Sequence, residues 1–319
     1  MPAKVFIDGE SGTTGLQIRE RLARRRDLEL LTLAPDRRRQ LEPRSDLINS
    51  ADAVILCLPD DAAREAVGLV ESTAVRVIDA STAHRTAPGW VYGLPEMAKT
   101  QREAIEGGRR VANPGCYASG FIALVRPLVD AGLLPAAWPI TVSAVSGYSG
   151  GGKAMIAEFE DPAAPGYTTS TYRAYALHLA HKHIPEMQAH ARLAHRPLFA
   201  PAVGRYFQGM IVEVPLPLHA LVTTPGLTDV QGALEAAYEH EPFVEVAPAD
   251  DVASLATLDP QALNGSDRMR LYAFGSEDGA QARLIAILDN LGKGAAGAAI
   301  QNLNLVLGLP EAAGLITND

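Results

Sequence analysis

Short apolar runs alternate with longer stretches of helical spacing along the first third of the chain. The stretch from Asp61 to Ser72 is an example of the second kind. Each apolar run has the length and composition of a β-strand, and the alternation of strands with helices predicts a parallel sheet. The carboxyl ends of such strands form one edge, where open α/β sheets bind ligands. The predicted strands are Lys4–Asp8, Leu28–Leu33, Ala53–Leu58, Arg76–Asp79 and Arg110–Ala112.

A glycine loop follows the first of these strands. It reads Gly9-Glu10-Ser11-Gly12-Thr13-Thr14-Gly15, and the residues from Leu16 to Arg25 have helical apolar spacing. Glycines at intervals of three let the backbone turn tightly and approach a pyrophosphate, which the helix N-terminus then holds. The spacing is GxxGxxG rather than GxGxxG, so a plain glycine-rich turn stays an alternative. We expect a dinucleotide to contact Gly9, Ser11, Gly12, Thr13, Thr14 and Gly15.

Basic residues follow the second strand, about where a Rossmann unit reads the adenosine ribose. Guanidinium groups accommodate a 2′-phosphate, whereas an acidic residue favours the free 2′-hydroxyl of NAD. We therefore expect NADP(H), bound through Arg37 and Arg38. A solvated basic turn is the alternative, because Asp36 precedes them and exposed arginines are common. Pro59 and Ser81 follow the third and fourth strands and are expected at the same cofactor-binding edge.

Cys116 is one of only two cysteines and follows the turn-forming residues Pro114 and Gly115. The residues after it, through Leu134, have helical spacing, so we expect its sulfur at a helix N-terminus. That position favours the thiolate and makes Cys116 a candidate nucleophile. A small buried cysteine that begins a core helix is the alternative. Cys57 lies inside an apolar strand and is expected to be inert core.

A polar cluster reads His181-Lys182-His183-Ile184-Pro185-Glu186. An extended backbone would point both histidines toward one face, and Pro185 suits the first turn of a helix. One imidazole is a candidate to relay protons at Cys116, with Glu186 fixing its tautomer or protonation state. A solvated polar turn is one alternative. A metal site is another, but no further Cys, His or carboxylate cluster completes a ligand set, so we expect no metal.

A glycine-rich loop follows the predicted strand Ile140–Val145. Its residues Gly147–Lys153 match the GxxxxGK pattern of a P-loop, but Ala154 stands where a P-loop needs Ser or Thr for magnesium. We expect the backbone N–H groups of this loop and the Ser146 hydroxyl to contact an anionic substrate.

A second polar loop, Asp289–Gly294, follows the predicted strand Leu284–Leu288. After it comes a helix of small residues that allows close packing against a sheet. We expect this helix to return to the first domain and to bring Asn290 and Lys293 near the cofactor. A plain C-terminal core helix is the alternative, although it does not explain the polar loop.

The composition describes an ordinary globular chain. With 319 residues and 47% hydrophobic residues it can bury a sizeable core, and this length suggests two domains. The 28 basic against 37 acidic residues give a net charge of -9, which argues against nucleic acid or an anionic membrane as a main partner. Two cysteines, no signal-peptide pattern and no apolar run of about 18 residues lead us to expect a cytoplasmic protein.

Four motifs together resemble the N-acetyl-gamma-glutamyl-phosphate reductase family: GESGTTG from Gly9, NPGCYAS from Asn113, HKHIPE from His181 and DNLGKGAAGAAIQNLN from Asp289. The short length and the first motif resemble its type 2 branch, related in fold to aspartate-semialdehyde and glyceraldehyde-3-phosphate dehydrogenases. The resemblance implies a Rossmann-type parallel-sheet domain and a second α+β domain on a largely antiparallel sheet. The first domain would span residues 1–115 and be completed by 290–319, and the second, for catalysis and subunit association, would span 116–289.

The family further implies an oxidoreductase of arginine and amino-acid biosynthesis that reduces N-acetyl-5-glutamyl phosphate with NADPH. The products are N-acetylglutamate 5-semialdehyde and inorganic phosphate, formed through a thioester on Cys116. His181 matches the acid/base position, and a homodimer or homotetramer is implied. The positions that match substrate contacts are Arg85, Ser146, Tyr175, His183 and Glu186. Asn290 and Lys293 match a loop near the nicotinamide.

Three other functions stay open. The same chemistry could act on aspartyl phosphate or on a carrier-linked glutamyl or aminoadipyl phosphate. A P-loop nucleotide-binding protein would use Gly147–Lys153. A non-catalytic dinucleotide sensor would have no need of a reactive Cys116 thiolate.

Overall fold

The chain folds into two units, each built around its own β-sheet. The structure is a computed structural model that describes residues 2–34, 36–37 and 40–317. The first unit contains Met1–Pro95, Lys99–Pro114 and Ala295–Ile316. The second contains Glu96–Ala98, Gly115–Gly294 and, among the described residues at the end of the chain, Thr317.

The first unit has a six-stranded sheet in the order β2-β1-β3-β4-β6-β5, and all its neighbouring strands are parallel. The order reverses beside β1, so the loops after β1 and β3 lie at a switch point, where doubly wound sheets bind ligands. The strands are β1 (Ala3–Asp8), β2 (Leu28–Leu31), β3 (Ala53–Leu56), β4 (Arg76–Asp79), β5 (Val91–Tyr92) and β6 (Arg110–Ala112).

Helices cover both faces of this sheet. Successive residues of β3 point to opposite faces: Ile55 packs in one buried cluster with Ile18 and Ile300, and Val54 packs in another with Ile48. Continuous apolar strands are typical of a parallel sheet buried on both faces. The helices are α1 (Thr13–Leu22), α2 (Leu41–Ser50), α3 (Asp60–Gly68), α4 (Gln101–Gly107) and the last helix of the chain, Gly297–Val306.

The second unit has a seven-stranded mixed sheet in the order β11-β12-β13-β10-β7-β9-β8. Four of its neighbouring pairs are antiparallel, and the pairs β7/β9 and β11/β12 are parallel. The strands are β7 (Thr141–Gly147), β8 (Tyr172–Ala174), β9 (Leu198–Gly204), β10 (Met210–Leu216), β11 (Val244–Val246), β12 (Met269–Gly275) and β13 (Ala282–Leu288).

The longest helix of the second unit lies close against the middle of this sheet. A Cβ atom on Gly120 would come within 2.9 Å of the Val212 side chain and 3.3 Å of Ala286, so glycine permits the close approach. A separate buried cluster includes Tyr272, Ile285 and Val252. The helices are α5 (Cys116–Asp130), α6 (Gly152–Glu160), α7 (Ile184–His190), α8 (Leu227–Tyr238) and α9 (Ala249–Ala253), so that the last helix of the chain is α10.

The predicted fold class is confirmed: a Rossmann-type parallel sheet is accompanied by a largely antiparallel one. The predicted helix through Leu134 ends earlier, at Asp130. Gly132 adopts a φ of +72°, and the N–H groups of Leu133 and Leu134 both donate to the Leu128 carbonyl. Glycine ends helices in this way because it reaches positive φ at little cost. Across the residues that the structure describes, no helix is long and apolar enough to cross a membrane.

Candidate active site

The glycine loop between β1 and α1 has two glycines that packing requires and one that it does not. Gly9 has a φ of +89°, and a Cβ atom there would lie 2.3 Å from the Cys57 carbonyl oxygen. A Cβ atom on Gly15 would lie 2.6 Å from the Gly9 carbonyl oxygen. On Gly12 it would come no closer than 3.5 Å to any atom of the protein. The space beside Gly12 therefore fits a ligand that approaches the start of α1.

The first N–H groups of α1 complete this cradle. Gly12 is the N-cap residue and, as a glycine, has no side chain to cap the helix. Helix N-termini leave their first backbone N–H groups without intrahelical partners, and here these belong to Thr13, Thr14 and Gly15. Such donors, with the helix dipole, attract a pyrophosphate. The loop thus fits the phosphates of a dinucleotide.

The other predicted cofactor residues of the first unit have different surroundings. Pro59 is exposed and is the N-cap residue of α3. Ser81 is buried after β4, and its hydroxyl donates to Asp79 Oδ2 over 2.8 Å. Arg37 is exposed in a turn after β2, and Arg38 lies outside the described residues.

Cys57 packs against the core of the first unit, as predicted. Desolvation by burial raises the pKa of its thiol to about 12, and the nearby carboxylates of Asp79 and Asp8 contribute to the rise. A thiol with such a pKa carries almost no thiolate near neutral pH.

Arg85 is buried and donates hydrogen bonds to two backbone carbonyls of the first unit. Its Nε donates to the Asn113 oxygen over 3.0 Å and its Nη2 to the Ala80 oxygen over 3.4 Å. These carbonyls follow β6 and β4, so the guanidinium ties together the carboxyl ends of two strands. A contact with substrate would be additional to these bonds.

Cys116 is the first residue of α5, as its sequence predicts. The preceding Gly115 is the N-cap residue, and its N–H donates to Glu186 Oε2 over 3.1 Å. A Cβ atom on Gly294 would lie 2.8 Å from the Cys116 Cβ, so glycine is needed there. The Ser119 N–H and hydroxyl both donate to the Gly115 oxygen. The backbone of Cys116 is thereby held in place from several sides.

The two histidines lie close together, but the expected extended backbone between them is wrong. The Ile184 N–H donates to the His181 carbonyl over 3.1 Å, so the segment forms a turn that leads into α7. Pro185 lies in the first turn of that helix, as predicted. The two imidazole rings are 4.7 Å apart and nearly perpendicular. His183 is buried, and its Nε2 lies 3.9 Å from Glu186 Oε1.

His181 faces Tyr175. Its Nδ1 accepts a hydrogen bond from the His183 N–H over 3.0 Å, and its Nε2 lies 3.2 Å from the Tyr175 hydroxyl. The Tyr175 hydroxyl donates to the Tyr117 hydroxyl over 3.2 Å, which donates to the Ala202 carbonyl over 3.3 Å. The pKa of Tyr175 is raised to about 12, mainly by burial; the hydrogen bond with Tyr117 acts against the rise, and the nearby Cys116 contributes to it. Cys116 and the Tyr175–His181 pair therefore belong to one site.

The first three amides of the loop Gly147–Lys153 make backbone hydrogen bonds within the protein. The N–H groups of Gly147, Tyr148 and Ser149 donate to the carbonyls of residues 209, 206 and 207, over 2.9, 3.0 and 3.0 Å. These three N–H groups already have acceptors, and a contact of the other N–H groups of the loop with an anion stays a prediction. The buried Ser146 hydroxyl donates to the Gly147 oxygen over 3.2 Å and also interacts with the Tyr117 hydroxyl.

Asn290 and Lys293 both make buried hydrogen bonds inside the second unit. Asn290 accepts from the Gly209 N–H over 2.8 Å and donates to the Ser149 hydroxyl over 3.0 Å. Lys293 Nζ donates to Glu96 Oε1 over 2.6 Å. Any contact of these two side chains with a cofactor would be additional to these bonds.

Two family models match the chain, one for each sheet. The semialdehyde dehydrogenase NAD binding domain matches residues 4–106. The semialdehyde dehydrogenase dimerisation domain matches residues 116–290, beginning at Cys116.

Relatives that align over nearly the whole chain show which family it belongs to. N-acetyl-gamma-glutamyl-phosphate reductase of Brucella anthropi is 55% identical over 309 residues, which cover 97% of this chain and 99% of that protein. The chain belongs to the N-acetyl-gamma-glutamyl-phosphate reductase family. The enzyme of the same name from Brucella ovis is also 55% identical, over 97% of this chain and 100% of that protein.

Solved structures of other proteins share the fold of this chain. Aspartate semialdehyde dehydrogenase II from Vibrio cholerae superposes with a TM-score of 0.73 at 16% identity, over 97% of this chain and 99% of that one. Aspartate semialdehyde dehydrogenase with NADP from Candida albicans gives 0.64 at 13% identity, over 96% and 99%. The first unit of this reductase family member is an NAD(P)-binding domain.

Sequence reasoning missed Tyr117 in this member of the reductase family. The residue is buried directly after Cys116, and its ring lies 5.7 Å from the His181 ring. A hint was present, because a tyrosine in an apolar helical run needs a partner for its hydroxyl. Within the described ranges, no group of three or more His, Cys, Asp or Glu side chains is arranged to hold a metal ion.

Proposed function

We propose that this protein catalyses the NADPH-dependent reduction of N-acetyl-5-glutamyl phosphate to N-acetylglutamate 5-semialdehyde, a step of arginine biosynthesis. The observation that carries this proposal is the position of Cys116 at the first residue of α5, in one site with Tyr175 and His181. The 55% identity to reductases of that name over nearly the whole chain supports it.

The reaction begins at the sulfur of Cys116. Its attack on the acyl carbon forms a C–S bond, and the bond to the phosphate oxygen breaks. Inorganic phosphate leaves with the electron pair and takes up the proton that the overall reaction consumes. A thioester remains on Cys116. NADPH, when bound, supplies the hydride that reduces this thioester.

Reduction leaves an oxyanion on the former acyl carbon, still bound to Cys116. Its collapse breaks the C–S bond, forms the aldehyde and restores the thiolate. Backbone N–H groups at the start of α5 would stabilise this oxyanion, by about 3 kcal/mol per donor in comparable sites. His181 is the proposed acid/base residue. The residues proposed to line or support the substrate site are His183, Glu186, Tyr175, Ser146 and Arg85.

The proposed cofactor is NADP(H). Its pyrophosphate would bind at Gly9–Gly15 and the start of α1, where the space beside Gly12 and the unbonded helix donors support it. Arg37 and Arg38 would hold the 2′-phosphate, and Pro59, Ser81, Asn290 and Lys293 are the other proposed contacts. The match to a dimerisation domain supports a homodimer or homotetramer, which light scattering would establish.

The test runs the reaction in reverse, from the semialdehyde. With NADP, N-acetylglutamate semialdehyde should be oxidised continuously only when phosphate or arsenate accepts the acyl group from Cys116. Without either anion, a burst of about one NADPH per Cys116 should appear and stop. Aspartate semialdehyde and carrier-linked glutamate semialdehyde serve as matched substrates. Faster turnover of either one would reassign the substrate, and continuous turnover without phosphate would indicate hydrolysis to the free acid.

A further inference from the structure

The turn that follows β4 is bonded to a buried carboxylate. Asp79 is the last residue of β4, and a buried carboxylate needs hydrogen-bond donors around it. The Ser81 N–H donates to Asp79 Oδ1 over 2.9 Å, and the Ser81 hydroxyl donates to Oδ2 over 2.8 Å. The Nδ1 atom of the buried His84 lies 2.6 Å from the same Oδ2. His84 therefore closes the turn onto the end of the strand.

Two contacts hold the His84 ring. A carboxylate accepts hydrogen bonds and donates none, so Nδ1 carries a proton and donates it to Asp79. The ring also stacks on Trp90, with centroids 4.1 Å apart and planes 11° apart. All three residues belong to the first unit. The carboxylate and the indole together fix the position and the rotation of the imidazole.

The guanidinium of the next residue, Arg85, depends on this turn. Its Nε donates to the Asn113 oxygen over 3.0 Å, and its Nη2 donates to the Ala80 oxygen over 3.4 Å. Ala80 lies inside the segment that the bond between His84 and Asp79 closes. That bond therefore fixes the backbone from which the Arg85 side chain starts, and also one of the carbonyls that its guanidinium binds.

We propose that His84 is a positioning residue, whose Nδ1 bond to Asp79 holds the turn that orients the Arg85 guanidinium toward the phosphate of the substrate. The kinetic consequence rests on the proposed function, in which Arg85 lines or supports the substrate site, whereas the effect on Arg85 itself does not. A guanidinium binds phosphate oxygens through directed hydrogen bonds, so its affinity for the anion depends on its orientation. His84 acts through Arg85 and not by contact with the substrate.

Three substitutions of His84 separate its hydrogen bond from its ring stack. His84→Asn keeps an amide N–H about where Nδ1 stands and removes the ring. His84→Phe keeps a ring to stack on Trp90 and removes the donor. His84→Gln carries its amide nearer the position of Nε2, so it tests for a direct role of that nitrogen. His219→Phe is the matched control, because the exposed His219 also donates from Nδ1, to the Ala280 oxygen over 3.0 Å.

The reverse reaction measures the effect on the anion. We expect the KM for phosphate to be about tenfold higher in His84→Phe and in His84→Gln, the effect of about one hydrogen bond, with kcat within about twofold of the wild type. His84→Asn and His219→Phe should keep the wild-type KM. A loss of folded enzyme would lower kcat and leave KM unchanged, so instability does not produce this result. Circular dichroism checks the fold of each variant.

The same assay contains the results that would overturn the proposal. Rescue by His84→Gln but not by His84→Asn would assign the role to Nε2. Equal KM values for phosphate in His84→Phe and His84→Asn would show that the Nδ1 bond has no role of its own. In an Arg85→Ala background, His84→Phe should raise KM no further, because the two changes act through one group. A full additional increase there would show that His84 does not act through Arg85.

Nitrogen NMR of 15N-arginine-labelled protein tests the turn without substrate. The Arg85 Nε–H signal is assigned by its loss in Arg85→Lys. We expect it to shift and to exchange faster with water in His84→Phe, and to stay unchanged in His84→Asn and His219→Phe. An unchanged signal in His84→Phe, or a changed signal with a wild-type KM for phosphate, would refute the positioning role. If the signal responds as expected but none of the proposed substrates turns over, the proposed function fails and the hold of His84 on Arg85 stands.

Discussion

Alanine substitutions at the three glycines of the Gly9–Gly15 loop should separate the needs of the fold from those of the cofactor. Gly12→Ala should fold with unchanged or slightly higher stability. Its φ of -71° and ψ of 166° suit alanine, and the added methyl would contact nothing closer than 3.5 Å. Replacing glycine where alanine fits stabilises a protein by about 0.4–1 kcal/mol, because the unfolded chain loses freedom.

NADPH affinity should fall in the same variant. The methyl would occupy the space through which a pyrophosphate approaches the N–H groups of Thr13 and Thr14. A hydrogen bond to a charged group contributes about 1.5–3 kcal/mol, so the loss of one raises Kd by about tenfold to a hundredfold. Titration by the fluorescence of NADPH measures this change, and urea unfolding measures the stability.

Gly9→Ala and Gly15→Ala are the contrasting variants. At Gly9 the methyl would lie 2.3 Å from a backbone oxygen at a φ of +89°, and at Gly15 it would lie 2.6 Å from another. We expect Gly9→Ala to lose about 3 kcal/mol or more of the free energy of unfolding, because strain and a backbone displacement add. Wild-type NADPH affinity in Gly12→Ala would refute the binding of pyrophosphate beside Gly12. A loss of stability in Gly12→Ala equal to that of Gly9→Ala would refute the packing argument.

Substitutions at Cys116, Arg37 and Glu186, two of them with control variants, test the site. Cys116→Ser should keep the fold and NADPH binding but lose turnover, since serine is a far weaker nucleophile. The control Cys57→Ser should change stability in urea more than kcat. Near-native turnover of Cys116→Ser would contradict the mechanism. Arg37→Gln should weaken NADP but not NAD in binding titrations, and equal losses would place the arginine elsewhere. Glu186→Ala should lower the free energy of unfolding by about 1–3 kcal/mol, because it leaves the buried Gly115 N–H unsatisfied. Glu186→Gln keeps an acceptor oxygen and should recover most of this loss. Equal losses in the two variants would show that the bond from the Gly115 N–H is unimportant.

The sequence predicted the first unit more completely than the second. The strands β4 and β6 have the predicted bounds, because each is a short apolar run between clear turn signals. In the second unit, β8 and β11 are three-residue strands at the two edges of the sheet, too short to show a pattern. The segment from 242 to 264, which matched no motif, contains β11 and α9. Val252 of α9 packs in the cluster with Tyr272 and Ile285.

The candidate site was predictable as a set of residues but not as a set of contacts. The start of α5 at Cys116 follows from local turn and helix signals. The bond from Gly115 to Glu186 joins residues 71 apart, and that from Tyr175 to Tyr117 joins residues 58 apart. No local pattern specifies such pairs. The turn at His181 was missed because a two-residue histidine spacing suits both an extended strand and a turn.

The contacts around Cys116 divide into two kinds with different physical consequences. Glu186 and Gly294 act on its backbone, through the Gly115 N–H and through close packing against the Cβ. Tyr117 and Tyr175 instead lie near its side chain: burial is the main cause that raises the pKa of both hydroxyls, and Cys116 contributes to the rise. Changes to the first pair disturb the position of the Cys116 sulfur, so they should lower stability and kcat together. Removing a hydroxyl from the second pair leaves these backbone contacts in place and changes side-chain hydrogen bonds around His181. Stability and turnover measured on the same variants therefore distinguish a residue that positions the nucleophile from one that acts through the imidazole.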